Sequence, residues 1–163
     1  MPRLVSRVEA LDRIRNETGE VACLMCAIRD RRAGPVFVVH EDDHQLVLLP
    51  RYVRRWGQLM VMPKRHAVSF GEIDDETWAE TNRLVLHAAR VVERVMRPRR
   101  CYLASTGSAA GEITQSSTHL HVHVIPLLEP DDKPADIFSW SAGVYIADSE
   151  EWESLRARYG EAW

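Results

Sequence analysis

No run of apolar residues in this 163-residue chain approaches the length needed to span a bilayer, which argues against a membrane-embedded protein. The opening stretch, MPRLVSRVEALDRIRNETG, has no apolar central region of the kind a secretory signal carries. Residence in the cytoplasm, with no membrane partner, is therefore the expectation. Cysteine is scarce, at three residues. In a chain read as intracellular, that number argues against a disulfide framework and directs attention to metal or thiol chemistry. An excess of positive charge is also missing: 21 Lys and Arg stand against 24 Asp and Glu, a formal net charge of -3, so nothing general favours nucleic acid as a partner. Two local basic runs, RYVRRW at 51–56 and RPRR at 97–100, read as solvated faces. Internal repeats and low-complexity segments are absent. What remains, with 45% hydrophobic and 28% charged residues, has the composition and length of one globular domain, residues 1–163, able to build a real core.

One segment departs from this plain background. STHLHVHVIP, residues 117–126, places three of the seven histidines at alternate positions: His119, His121 and His123. Strict alternation predicts a strand, because successive side chains of an extended chain point to opposite faces. Leu120, Val122 and Val124 then enter a core, and the histidines form a row spaced about 6.5 to 7 Å at Cα, read as too far apart to touch directly. Pro126 ends the strand, since proline cannot donate to a ladder. Threonine, lysine or glutamate would serve a half-exposed strand equally well. Three imidazoles point instead to chemistry, because histidine changes charge near neutral pH and ligates metals.

Elsewhere, Leu4, Val8, Leu11 and Ile14 recur at helical spacing and predict a helix over 4–16, closed near Gly19. GPVFVVH (34–40) and HQLVLLP (44–50) read as a hairpin joined by the polar turn EDDH, and GQLMVMP (57–63) as a third strand stopped by Pro63. Asp74 is the expected N-cap of the longest helix, DDETWAETNRLVLHAARVVERVMR, whose acidic first turn and arginine-bearing last turn both suit the macrodipole. Pro98 ends it. RCYLAST (100–106) resumes extended structure, the histidine strand follows, and GVYIAD (143–148) leads into a last helix through SEEWESLRARYG. This order predicts an α+β domain with a mainly antiparallel sheet.

The pattern His-apolar-His-apolar-His-apolar-apolar at 119–125, followed by Pro126, resembles the signature of the histidine-triad (HIT) family of nucleotide hydrolases and transferases. GQLMVMPKRH (57–66) is similar to the family's glycine, apolar strand and Pro-Lys-x-His. CLMC (23–26) is similar to the Cys-x-x-Cys of its zinc-containing branch. These motifs span residues 20–126, between an N-terminal helix (1–19) and a C-terminal strand and helix (127–163).

The resemblance implies a HIT-like fold with a five-stranded sheet, one long helix and a C-terminal helix, assembled as a homodimer. It implies that His121 is a nucleophile, attacking the α-phosphorus of a nucleotidyl ester, anhydride or phosphoramidate to form a nucleotidyl-histidine that water or a second phosphate resolves. Imidazole suits this work, because one ring nitrogen is free to attack while a hydrogen bond to the other fixes the tautomer. By the same resemblance, His123 supports the phosphate or leaving group and helps with proton transfer. Gln115 then lies near the leaving oxygen, Ser116 contacts phosphate, and Ser105 stands where the family has an upstream Asn or Gln. The small residues of STGSAAGEITQSST (105–118) suit backbone approach to an anion, as they suit any connecting loop.

The zinc-containing branch further implies a structural zinc on Cys23, Cys26, His66 and His119, a tetrahedral Cys₂His₂ set. His119 would clamp the strand to the metal while His121 stays free to react. A redox pair and two small core residues are the competing readings of CLMC. A thioredoxin-like pair wants a strand followed by a helix opening at the motif, whereas CLMCAIRDRRAGP runs toward a glycine-proline turn. Cys101 reads as a core residue of its strand.

Three positions depart from the family pattern. Gly57-Gln58 stands where Gly-His is usual, Pro50 where an acidic or amide residue meets the ribose hydroxyls, and Ser105 at the upstream Asn or Gln. All three touch nucleoside recognition and leave the row intact. Two function classes follow: a HIT-type hydrolase or nucleotidyl transferase, or a zinc-stabilised nucleotide- or phosphate-binding module without efficient turnover. A third, a hydrolytic zinc held by the histidine row itself, leaves Cys23, Cys26 and His66 unexplained.

Overall fold

The computed structural model describes residues 1–19, 21–105 and 117–163. In chain order its elements are β1 (Arg3–Val5), α1 (Arg7–Thr18), α2 (Leu24–Arg29), β2 (Phe37–Glu41), β3 (Gln45–Leu49), β4 (Leu59–Pro63), α3 (Asp75–Met96), β5 (Arg100–Ala104), β6 (Val122–Leu127), α4 (Pro134–Ser139), β7 (Val144–Ile146) and α5 (Ser149–Ala162). Five of the strands form one sheet in the order β2-β3-β4-β6-β5, antiparallel throughout, the α+β architecture expected of a HIT-like fold. The β2–β3 hairpin is held by Asp42, whose carboxylate accepts from the N–H groups of His44 (2.8 Å) and Gln45 (2.7 Å), the local bonding that favours Asp in turns. Among the described residues, no helix is long and apolar enough to cross a membrane.

Strand periodicity sorts the side chains into two layers. Val47, Leu49, Leu59, Val61, Val122 and Val124 pack on one face with Val85, Val91 and Val92 of α3 and Trp152 and Leu155 of α5. Each such buried aliphatic side chain contributes about 1.5 to 3 kcal/mol. Leu46, Leu48, Met60 and Met62 face the other way and pack with Cys23 and Met25. His123 pairs with Met60 across the ladder, which puts it on the α2 side, away from the long helix.

α3 begins as expected at Asp74, which accepts from the Thr77 N–H at 2.8 Å, and ends at Arg97 in the left-handed region just before Pro98. The turn into β4 favours Gly57: its φ is +88°, a conformation that strains other residues, and a Cβ there would lie 2.7 Å from the Met96 side chain and force it to move.

Four local expectations are corrected. The N-terminal helix starts after Ser6, whose hydroxyl accepts from the Glu9 N–H. Residues 3–5 instead form β1, paired with β7 in a separate two-stranded sheet. The histidine strand starts only at Val122, so His119 and His121 precede it. Pro126 does not end that strand. It pairs with Cys101 of β5 beyond the last β4 contact at Leu59↔Val124, where a residue without an N–H is tolerated. A six-residue helix, α2, does open at CLMC with Cys23 as its N-cap, so the argument against a redox pair from a missing helix fails. Helix α4 has no counterpart in the sequence reading.

Candidate active site and metal centre

β4 and the segment after it bring the Pro-Lys-x-His residues against α2 and the histidine row. Leu120 N–H donates to the Ala67 carbonyl at 2.8 Å, which ties the two segments together. Cys23, Cys26, His66 and His119 converge there, with one donor atom from each all lying within 4.8 Å of one another. Cys26 Sγ is 3.3 Å from His66 Nδ1 and 3.5 Å from His119 Nδ1, and Cys23 Sγ is 3.8 Å from His119 Nδ1. A tetrahedral zinc with ordinary Zn–S and Zn–N bonds has S···N edges of about 3.5 Å, so the donor set is the right size for one such ion. His119 Nε2 donates to the Pro63 carbonyl at 2.9 Å. That bond leaves the lone pair on Nδ1, which faces the sulfurs, an arrangement typical of metal-ligating histidines. Burial, the main cause, lowers the His119 pKa to about 4 and keeps the ring neutral. Burial and then the adjacent Cys23 push the Cys26 thiol up to about 11, which disfavours a redox pair in the absence of metal because the thiolate is the reactive form.

His121 and His123 form a second group. All three histidines of the row are buried, but they do not act as one. His119 faces the cysteines, whereas the Nε2 atoms of His121 and His123 lie 3.2 Å apart with their rings edge to face. The expectation that neighbours in the row cannot touch is thus corrected, because the imidazoles of His121 and His123 reach each other.

Hydrogen-bond direction assigns the tautomers. The Arg54 backbone N–H donates to Gln58 Oε1 at 3.1 Å. Because a backbone N–H can only donate, the Gln58 amide nitrogen must face His123 Nδ1, 2.9 Å away. Burial, aided by His121 and Arg54, holds His123 well below its usual pKa, so the neutral ring carries its single proton on Nε2. That N–H points at His121 Nε2, while His121 Nδ1 donates to the His119 carbonyl at 2.7 Å. His121 therefore keeps its lone pair on Nε2.

Both rings line a largely apolar pocket walled by Leu24, Met25, Ile28, Leu48 and Met60, with Pro50, Arg54, Ser117 and Trp140 also on its surface. Ser105 follows Ala104, the cross-strand partner of His123, and its buried hydroxyl has no hydrogen-bond partner among the described residues. Gln115 and Ser116 lie outside the described residues. Sequence reasoning missed two site residues. Gln58 registered only as a departure from a family pattern. Arg54 was absorbed into a basic run read as solvated, yet it is 7% exposed, Arg51 pairs with Glu17, and Arg55 forms a partly buried pair with Asp132. Half-buried Cys101, on β5, packs against the main core as expected.

Residues 31–129 match the HIT domain family. An uncharacterised HIT-like protein of Methanocaldococcus jannaschii is 30% identical over 109 residues, covering 67% of this chain and 81% of that protein. An uncharacterised 16.1 kDa HIT-like protein of Mycoplasma pneumoniae is also 30% identical, over 108 residues, 66% of this chain and 72% of its own. Among solved structures, a hypothetical histidine triad nucleotide-binding protein of Sulfolobus tokodaii superposes with a TM-score of 0.69 at 28% identity, covering 86% of this chain and 91% of the other. A zinc-bound histidine triad family protein of Mycobacterium smegmatis shares the fold, with a TM-score of 0.64 at 24% identity and coverage of 86% and 94%. The histidine row, the Pro-Lys-x-His segment and the five-stranded sheet all fall within this likeness, and the chain belongs to the HIT domain family.

Proposed function

We propose that this protein is a single-domain histidine-triad nucleotide hydrolase or nucleotidyl transferase, cytoplasmic and homodimeric, with a small-molecule nucleotide rather than a nucleic acid or a membrane as its partner. The observation that carries this reading is the hydrogen-bond chain from Arg54 N–H through Gln58 and His123 to His121, which leaves a lone pair on His121 Nε2 at the wall of a pocket. A nucleophilic imidazole needs that tautomer.

In the proposed reaction, Nε2 of His121 attacks the α-phosphorus. The P–N bond forms as the bond to the leaving group breaks, and His121 Nδ1–H stays on the His119 carbonyl. The Nε2–H of His123 turns from His121 to a phosphoryl or leaving-group oxygen, assisted by Gln115. Ser116 and Ser105 hold the phosphate from the segment that precedes the row. Water or a second phosphate then attacks phosphorus as the P–N bond breaks, restoring the neutral imidazole; the proton that an attacking water gives up passes to solvent or to the departed leaving group.

Cys23, Cys26, His66 and His119 would hold a structural zinc. It would supply no step of the reaction, and it would fix α2 and the start of the row, including the carbonyl that orients His121. The size of the donor set and the orientation of His119 support this reading, and a zinc-bound protein of the same fold accords with it.

The test is single-turnover mixing with a panel of nucleotidyl phosphoramidates and anhydrides, followed by mass spectrometry for a nucleotidyl adduct on His121. A transient adduct in the parent that is absent in His121→Ala is expected. Gln58, an amide that cannot carry a proton onward, favours a second reading as a zinc-stabilised binding module. Tight nucleotide binding with no adduct under any condition would establish that reading instead.

A further inference from the structure

Of the three arginines in RYVRRW, two have carboxylate partners: Arg51 contacts Glu17 at 2.8 Å, and Arg55 pairs with Asp132. Arg54 has none. It is 7% exposed, its Nε is buried without a hydrogen-bond partner, and among the described residues its guanidinium makes no ion pair. Its Cζ lies 5.6 Å over the Trp140 ring, a contact that offsets only part of the cost of burying a cation. Burial lowers the Arg54 pKa to about 10, so the group is charged at neutral pH.

The surroundings define what is missing. Arg54 and Trp140 line the same pocket as His121 and His123, and no Asp or Glu is among the described lining residues. The remaining walls are mostly apolar. A guanidinium offers five donors in a planar fork and no acceptor, which matches the oxygens of a phosphate. We infer that Arg54 is an oxyanion-recognition residue of this pocket, pairing with a phosphoryl group of the ligand while the apolar walls take the ligand's body. The inference rests on the reading of the pocket as the site of a phosphorus-containing substrate. Two sources of that phosphoryl group share the chemistry: the group that reacts at His121, and a second phosphate on the body of the ligand.

Binding measurements on the zinc-loaded full chain separate these. Inorganic phosphate, adenosine, AMP and adenosine 3′,5′-bisphosphate are titrated calorimetrically into the parent, Arg54→Met and Arg54→Lys, with melting temperatures recorded alongside. Arg54→Met removes a buried charge at similar length, a change that proteins commonly tolerate. It is expected to weaken AMP or the bisphosphate by about 10- to 100-fold, the range of a charge-assisted hydrogen bond, and to leave adenosine within about twofold. Arg54→Lys, which keeps the charge but loses the fork, is expected between the two. Equal losses for AMP and bisphosphate identify the reacting phosphoryl as the partner, and a loss confined to the bisphosphate identifies a second phosphate. Unchanged affinity for the phosphate-bearing probes in whichever variants fold overturns the inference, as does an equal loss for adenosine and AMP, or a parent that binds no phosphate-bearing probe. Arg54-dependent phosphate binding without any adduct on His121 would remove the proposed turnover and keep this inference.

Discussion

Gln58 Nε2 lies 2.9 Å from His123 Nδ1, so the residue after Gly57 sets the proton arrangement of a histidine pair contributed by a different part of the chain. An amide in this place orients without titrating. Gln58→Glu replaces the donor with an acceptor, which would draw the His123 proton to Nδ1 and turn a second lone pair toward His121. Loss of kcat/KM on the order of 10²-fold is expected, the scale of a misdirected proton transfer. ¹⁵N spectra should report Nε2–H on His123 in the parent and Nδ1–H in the variant. An unchanged tautomer with full activity would separate Gln58 from the chemistry.

His121→Ala should reduce turnover by several orders of magnitude while preserving the melting temperature within a few degrees, because no other group can form the covalent bond at that point. His123→Gln is expected to be milder, since it removes support for the phosphate and not the nucleophile. Steady-state rates within tenfold of the parent for His121→Ala would refute the nucleophile assignment.

Purified protein should contain about one zinc per chain. Chelation should lower the melting temperature, because metal affinity is linked to folding. Cys23→Ser and Cys26→Ser should reproduce that loss, and Cys101→Ser, on β5 away from the cluster, should not. Metal analysis by mass spectrometry with matched melting curves is the check; a metal-free protein of equal stability would return the cysteines to a packing role.

Stability should decline in mild acid. Burial depresses the His123 pKa well below its ordinary 6.5, so below that pH the unfolded chain takes up a proton that the folded one refuses. The stability from this group is thus fully present above about pH 6.5 and is lost progressively as the pH falls below it. Urea denaturation of the parent and His123→Gln at both pH values tests this: the variant should show the smaller pH-dependent drop, and equal drops would assign the proton uptake elsewhere.

Signals carried within a few residues were legible in the chain itself. The alternation of Val122, His123 and Val124 in β6, the Asp74 cap and acidic first turn of α3, and the hairpin turn at Asp42 all follow from a strand period of two or from side chains bonding their own backbone. The likeness of CLMC, Pro-Lys-x-His and the histidine row to motifs of the histidine-triad family also named, by resemblance, the four residues whose donor atoms converge. Tertiary structure alone decided which imidazoles meet, that Gln58 sits under His123, that Arg54 is buried beside a pocket with no carboxylate partner among the described residues while Arg51 and Arg55 find theirs, and that residues 3–5 pair with β7. Each of these depends on strand register and on packing between segments far apart in the chain. A periodic pattern dictates which face a side chain takes, but the group it meets there is set by whatever the rest of the fold brings to that face.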